Sequence, residues 1–446
     1  LFTESYGGIM GPVFAKLFED QNALLKKGTL PSSTLEIQLT SLGIINGLVD
    51  QKIQMPYYPE FAGNNTYGIA GIDLTTMYNA LSNLSSPNGC DDMIATCRAA
   101  MDSADPEGYG DISLVNEACN AAQLSCSLIQ NIYLQSGLSI YDIRQKSPSP
   151  FPSFSYLEYL NNVQVQQSIG SMVNYTDSSN AVFDAFIRTG DVIRDDALPD
   201  LSYLVTNGVR VTLMYGDADY ICNWLGGEAI AKALAGFTTN YSAPFLDTGY
   251  AELVVNSSYV GGAVRQYGNL SFVRIYDAGH QAPAYQPETA FTVFTRTILG
   301  TSIATGETVN LSSFHTKGPS QSSKTNKAGS SLNPLCWIRS PSQSCSNQQL
   351  SDMLSGHGVV INGVWYGQQS DFQPPSSTVV AGKPGSIPST IRGSNSSPSS
   401  STVSLTGVYT ATVTPSSTSS ASLYRLNPYS VFIGLLSAHI ISWYLV

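Results

Sequence analysis

Apolar positions in this chain recur with two different periods. The stretch "GGIMGPVFAKLFEDQNALL" (7–25) has helix-like spacing and follows directly on a small-residue turn. Three other stretches, "LEIQLTSLGIING" (35–47), "VRVTLMYGDADY" (209–220) and "SFVRIYDAGH" (271–280), carry the short apolar runs of buried strands, each passing into a polar loop. This pattern predicts an α/β domain over residues 1–300. Strands that end in reactive-looking side chains suit an open sheet, whose sites lie at the carboxyl ends of its strands. Residues 56–175 interrupt the strand pattern and are read as an inserted cap, leaving 1–55 and 176–300 as the two halves of the core.

The texture changes after Gly300. Residues 301–375 keep some aromatic side chains and are expected to form a small extension packed on the main domain. Residues 376–422, rich in Ser, Thr and Pro, cannot bury enough apolar area to repay their chain entropy. They are expected to be a disordered, O-glycosylated stalk. The tail 423–446 ends in an apolar run from Val431 to Val446, 16 residues. As a helix that run spans about 24 Å, short of a bilayer core of roughly 30 Å, and no basic stop follows it. Small residues at Ser419, Ser420 and Ala421 followed by a polar spacer give the layout of a GPI-attachment signal, with Ser419 or Ser420 as the attachment point. A retained short anchor and a plain hydrophobic tail are the other two readings.

Composition adds the compartment. Only 12% of residues are charged, and Lys+Arg 21 against Asp+Glu 32 leaves a net charge of −11. That balance argues against nucleic acid as a partner. Among seven cysteines, Cys90/Cys97 and Cys119/Cys126 are each separated by six residues. A folded-back helical hairpin would pair Cys90 with Cys126 and Cys97 with Cys119. Zinc, the rival reading, prefers two to four residues between paired ligands. Each such disulfide contributes about 2–4 kcal/mol. The close pair Cys336/Cys345 is expected to form a third, which leaves Cys222 odd. Sequons stand at Asn64, Asn83, Asn174, Asn240, Asn256, Asn269, Asn310 and Asn395. Together these predict a secreted glycoprotein. The chain opens at Leu1, inside what reads as a folded motif, so its front is expected to be missing.

Candidate chemistry begins at "ESYGG". A strand, this turn and a helix would make a nucleophile elbow presenting Ser5 at a helix N-terminus, although Thr3 stands where the G-x-S-x-G pattern has its first glycine. A plain turn is the alternative. Serine needs a base. His439 lies in the tail, and His315 and His357 lie in the extension, so His280, at the end of a strand, is the candidate. In "MYGDADYICNW", Asp217 and Asp219 both precede it in the order Ser…Asp…His. Asp217 suits a turn cap, and Asp219 suits holding the imidazole. No metal or organic cofactor is expected.

With these residues in view, "ESYGG", "YGDADYICNWLGG" and "DAGHQAPAYQPETA" resemble the three catalytic signatures of the serine carboxypeptidases, the S10 peptidases. "GIINGLVD", "YDIR" and the nested cysteines resemble that family too, and the stalk and tail resemble its fungal GPI-anchored branch, the carboxypeptidase S1 homologues. The resemblance covers about residues 1–300. It implies an α/β-hydrolase fold with a disulfide-bonded cap, and with the family's first sheet strands absent from this chain. It implies Ser5 as nucleophile, Asp219 rather than Asp217 as orienting acid, His280 as base and the Tyr6 backbone N–H as one oxyanion donor. It also implies Glu4, protonated, as partner of the substrate's terminal carboxylate. Cys222 falls at the family's unpaired cysteine beside the substrate pocket, and Gln281 where the leaving-residue pocket is shaped. The family's Gly-rich loop, with its second oxyanion donor, precedes these motifs and is not in this sequence. The implied function is removal of C-terminal residues from peptides or proteins through an acyl-enzyme at acidic pH, outside the cell on a GPI anchor. The chain as given is expected to fold poorly and to be inactive. An acyltransferase or esterase of the same fold, and a non-catalytic surface glycoprotein, are the rival readings.

Overall fold

The computed structural model describes residues 1–372 except 32, 150–154, 195–196, 257–258, 326–335, 339–340 and 362. The stalk 376–422, the tail 423–446, Ser419, Ser420, His439 and the Asn395 sequon lie outside the described residues. Six strands form the central sheet: β1 (Phe2–Glu4), β2 (Ser41–Ile45), β3 (Arg210–Gly216), β4 (Ala251–Asn256), β5 (Tyr259–Tyr267) and β6 (Leu270–Ile275), in the order β1-β2-β3-β6-β5-β4. The first four of that order run parallel, and β5 and β4 add an antiparallel edge. Hence the chain is mixed α/β, and the sequence reading did not anticipate the β4–β5 hairpin.

Strand periodicity sorts the core into two faces. Val211, Leu213 and Tyr215 of β3 and Leu270 and Phe272 of β6 enter one buried cluster. Met214, Val273 and Ile275 enter the other. The strand expected over 35–47 is shorter than its pattern. Asn22 of the helix Gly7–Lys26 takes both backbone groups of Ile37, donating Nδ2 to its carbonyl at 2.6 Å and accepting its N–H at 3.0 Å. Residues 35–40 therefore run outside the sheet with Leu35 and Ile37 exposed, and pairing starts at Ser41.

Between β2 and β3 the chain makes a mostly helical excursion. Its helices Cys90–Ala104 and Ser113–Gln130 are joined by disulfides Cys90–Cys126 and Cys97–Cys119, with Cα atoms 4.9 and 4.6 Å apart. Seven residues are two helical turns, so the cysteines of each helix share a face, and an antiparallel hairpin pairs outer with outer and inner with inner. After the helix Pro287–Leu299, residues 301–325 include a stretch along β5, where Thr316 N–H donates to Gln266 O at 2.9 Å. A second sheet follows, of β7 (Cys336–Trp337), β8 (Val359–Ile361) and β9 (Val364–Tyr366) in the order β7-β9-β8. Cys336 is bonded to Cys345, and Trp337 packs edge-on to Tyr285, ring centroids 5.2 Å apart. No helix among the described residues is long and apolar enough to cross a membrane.

Candidate active site

Ser5 occupies the turn between β1 and the helix Gly7–Lys26, with φ +59°, the left-handed region that a non-glycine residue enters at a cost of about 1 kcal/mol or more. Backbone bonds hold it there. Its N–H donates to Ile45 O at 3.0 Å, and its carbonyl accepts from Gly8 N and Leu48 N, both at 2.9 Å. A Cβ on Gly8 would lie 2.3 Å from Leu48 O, so only glycine lets the helix start this close to the loop after β2. Thr3, in the place of the pattern's first glycine, donates Oγ1 to Gly7 O at 2.8 Å. The turn thus accommodates the departure. Tyr6 stands at the N-terminal end of the helix, where the aligned peptide dipoles favour negative charge. Its hydroxyl donates to Asp191, and its ring meets Phe186 edge-on at 5.7 Å.

The turns after β3 and β6 bring Asp219 and His280 together. His280 Nδ1 lies 2.8 Å from Asp219 Oδ2, and both side chains are buried. The same oxygen accepts from Asn46 Nδ2 at 2.9 Å and from Cys222 N at 3.2 Å, while Oδ1 accepts from Ile221 N at 3.1 Å. With every contact a donor, His280 carries its proton on Nδ1 and leaves Nε2 as the basic atom. Asn46 is fully buried at the end of β2 with φ +40°, and its Oδ1 accepts from Gly216 N at 3.0 Å. His280 N–H donates to Tyr141 O at 2.8 Å, and the Tyr141 ring lies beside the imidazole, centroids 5.2 Å apart. Asn46 and Tyr141 lie in "GIINGLVD" and "YDIR", and no local pattern marks their contacts; an Asn closing an apolar run is the one signal the sequence carries.

Charge interactions tie Glu4 to this pair. Burial pushes the Glu4 carboxyl above its usual range; His280 opposes that shift and Asp219 adds to it. For His280, burial works against the imidazolium, but Asp219, through charge and hydrogen bond, and Glu4 outweigh it, so the ring titrates above its ordinary value. Cys222 is a buried free thiol, held far up its range by burial and by Asp219 and Glu4, with the Ser5 hydroxyl hydrogen-bonding to it in the opposite sense. Among the described residues Ser5 makes no hydrogen bond to His280; such bonds are often long before substrate arrives. Gln281 follows His280 and is exposed. Asp217, by contrast, pairs with Arg274 at 3.0 Å.

Possible metal donors of Asp219, Cys222 and His280 lie within 4.8 Å of one another. Asp219 and His280 are hydrogen-bonded to each other at 2.8 Å, and burial holds the Cys222 thiol in its protonated form. The thiol also gives a prediction. Iodoacetamide at neutral pH should alkylate Cys222 at least about a hundredfold more slowly in the native protein than after unfolding, because the thiolate is the reactive form. Mass mapping of the labelled cysteine checks this.

Residues 1–300 match the family described as serine carboxypeptidase. The chain is 42% identical over 373 residues to carboxypeptidase S1 homolog B of Arthroderma otae, covering 80% of this chain and 56% of that protein. Carboxypeptidase Y homolog of Arthroderma benhamiae is 35% identical over 372 residues, covering 82% and 58%, and carboxypeptidase S1 of Penicillium janthinellum is 35% identical over 299 residues, covering 67% and 66%. The crystal structure of a prohormone-processing carboxypeptidase from Saccharomyces cerevisiae superposes with a TM-score of 0.43 at 22% identity, over 64% of this chain and 58% of that one. The chain spans little more than half the length of the first two relatives. Matched across the whole region that carries Ser5, Asp219 and His280, the chain belongs to the serine carboxypeptidase family.

Proposed function

We propose that the complete protein is a serine-type carboxypeptidase, releasing C-terminal amino acids from peptides through an acyl-enzyme. The observation that supports this reading is the buried His280–Asp219 pair at 2.8 Å, in charge contact with Glu4, whose carboxyl is raised toward protonation, with Ser5 next in the chain on a left-handed turn at a helix start. In the reaction, Ser5 Oγ attacks the scissile carbonyl carbon and its proton passes to His280 Nε2. Asp219 stabilises the imidazolium that forms, and the Tyr6 N–H at the helix start faces the oxyanion. His280 then protonates the leaving amine as the C–N bond breaks. Water repeats the sequence on the acyl-Ser5 ester. Gln281 and Cys222 border the bound substrate in this reading.

Glu4 distinguishes an exopeptidase from the second reading, an esterase or acyltransferase of the same fold. A protonated Glu4 donates to a substrate carboxylate, and an ionised one repels it. Peptide kcat/KM should therefore fall as pH rises through the raised pKa of Glu4, and Glu4→Gln, a donor at every pH, should flatten that fall. A blocked ester lacks the charge and follows His280 instead. Because ionised Glu4 raises His280, Glu4→Gln should move the acid limb of ester hydrolysis to lower pH. Parallel peptide and ester profiles in the parent enzyme would overturn the exopeptidase reading.

Asn46→Ala removes a neutral donor from the Asp219 carboxylate. A bond of that type contributes about 1.5–3 kcal/mol to stability, so the melting temperature should fall, and ester kcat/KM should drop as the Asp219 carboxylate loses part of its orientation toward His280. Steady-state kinetics beside a thermal melt check it.

A secreted, glycosylated, GPI-anchored location completes the proposal. It is supported by three disulfides and by the exposure of the sequon residues Asn64, Asn83, Asn174, Asn240 and Asn310. Asn256 and Asn269 are half-buried, and Asn256 Nδ2 donates to Glu288 Oε1 at 3.0 Å, which makes these two poorer acceptors.

A further inference from the structure

Two residues before Asp219 and three before His280 stand two more aspartates, Asp217 and Asp277. Asp217 is fully buried. Its Oδ2 accepts from Arg274 Nε at 3.2 Å and Nη2 at 3.0 Å, and its Oδ1 accepts from the Asp277 N–H at 2.9 Å and the Tyr67 hydroxyl at 2.5 Å. Asp277 has φ +55°, and its Oδ1 lies 3.4 Å from the same Tyr67 hydroxyl and 3.7 Å from Arg144 Nη1. Arg144 is itself forked onto Asp142, at 2.8 and 2.9 Å. Arg274, fully buried under the Trp224 ring at 4.3 Å, ties in the outer segment by donating to Ser322 O and Lys324 O, both at 2.9 Å.

The backbone is stitched at the same place. Asp217 N donates to Ile275 O at 2.9 Å, Ala218 N to Ala278 O at 2.8 Å, Ile143 N to Ala218 O at 2.9 Å, and His280 N to Tyr141 O at 2.8 Å. A Cβ on Gly216 would lie 2.4 Å from Gly279 O, so the two turns touch main chain to main chain. Asp219 and His280 both emerge from this knot.

We propose that the Asp217–Asp277 pair, gripped by Tyr67, Arg144 and Arg274, is a positioning device for the catalytic couple: with a proton on the pair it locks the Asp219 turn to the His280 turn, and loss of that proton loosens the lock. The catalytic part of this inference rests on the function proposed above. Asp277 is the member that exchanges its proton with water, since its side chain is 29% exposed and that of Asp217 is 0% exposed. The groups facing it are Asp217 at the end of β3, Tyr67 from the loop after the helix Tyr57–Gly63, Arg144, Lys324, Tyr259 of β5 and Tyr366 of β9. Burial and Asp217 push the Asp277 carboxyl up to about 6, while Arg144, Lys324 and the Tyr67 hydroxyl pull the other way. An unfolded aspartate titrates near 3.8. The folded state therefore binds more protons between about pH 4 and pH 6, and stability falls as pH rises through that window and levels off above it.

The test compares the complete parent protein with Asp277→Asn, which keeps the shape and cannot ionise. One readout is amide hydrogen-exchange protection of residues 216–222 and 276–281, corrected for intrinsic exchange. The other is the pH profile of kcat/KM for a blocked ester, to which the carboxylate-binding role of Glu4 is silent. In the parent, protection of both turns should fall several-fold between about pH 4 and pH 6 and level off above it, the window set by the unfolded and folded values of Asp277. In Asp277→Asn it should stay level, and ester hydrolysis above that range should be at least about twofold higher relative to its acid value. Tyr67→Phe removes a donor that favours the ionised pair and should move the parent's fall to higher pH, so the proposal is still decided if Asp277→Asn does not fold. Equal pH dependence of protection in parent and variants would overturn the lock. A change in protection without any change in the ester profile would overturn its positioning role. A parent that hydrolyses no ester would overturn the proposed function, and the exchange data would still decide the lock.

Discussion

Ser5→Ala, in the complete protein, should lower kcat/KM for a blocked dipeptide by at least about 10⁴-fold while leaving the fold intact. The variant keeps the turn and its backbone bonds, since those use the Ser5 N–H and carbonyl and not the hydroxyl. It loses the atom that, in the proposed mechanism, forms the acyl bond. Removing one member of such a unit costs nearly as much as removing all of it, and what survives comes from binding and the oxyanion site alone. His280→Ala should show a loss of the same size. Survival of more than about a hundredth of the parent rate in either variant contradicts the assignment.

Asp219→Asn should cost about 10⁴-fold, for a reason that lies in its four donors. One carboxylate oxygen accepts from His280, Asn46 and the Cys222 N–H, and the other accepts from the Ile221 N–H. An asparagine must put its NH₂ at one of those places. Turned toward His280 it faces an N–H with an N–H, and forces the imidazole into the tautomer that has no base toward Ser5. Turned the other way it collides with the Ile221 N–H inside a buried site. Either way a donor is left against a donor, so the loss should fall on kcat, with a modest drop in Tm. A variant within tenfold of the parent would show that Asp219 does not orient His280.

Much of this was legible in the sequence. The apolar runs ending at Gly216 and Ile275 placed Asp219 and His280 on turns after strands, and the glycines after Ser5 placed it at a helix start, because those features are local in the chain. The cysteine pairing was legible for the same reason, as a two-turn spacing repeated on two helices. What sequence left open was long-range. Asn46 reaches Asp219 across 173 positions, and Tyr67 reaches Asp217 across 150, with no periodicity to announce either contact. The choice between Asp217 and Asp219 was of this kind: two identical side chains two positions apart meet different partners, a buried guanidinium for one and an imidazole for the other. The lost strand at 35–40 shows the converse, since one side chain, Asn22, satisfies the backbone that the pattern had assigned to the sheet.

The central claim is tested most directly by offering the complete protein one peptide in two forms, with a free and with an amidated C-terminus, and following the products by mass on the acid side of the raised Glu4 titration. The account predicts a ladder from the free acid, one residue lost at a time from the C-terminal end, much slower loss from the amide, and neither with Ser5→Ala. Cleavage inside the peptide, or equal rates on the two forms, would contradict it.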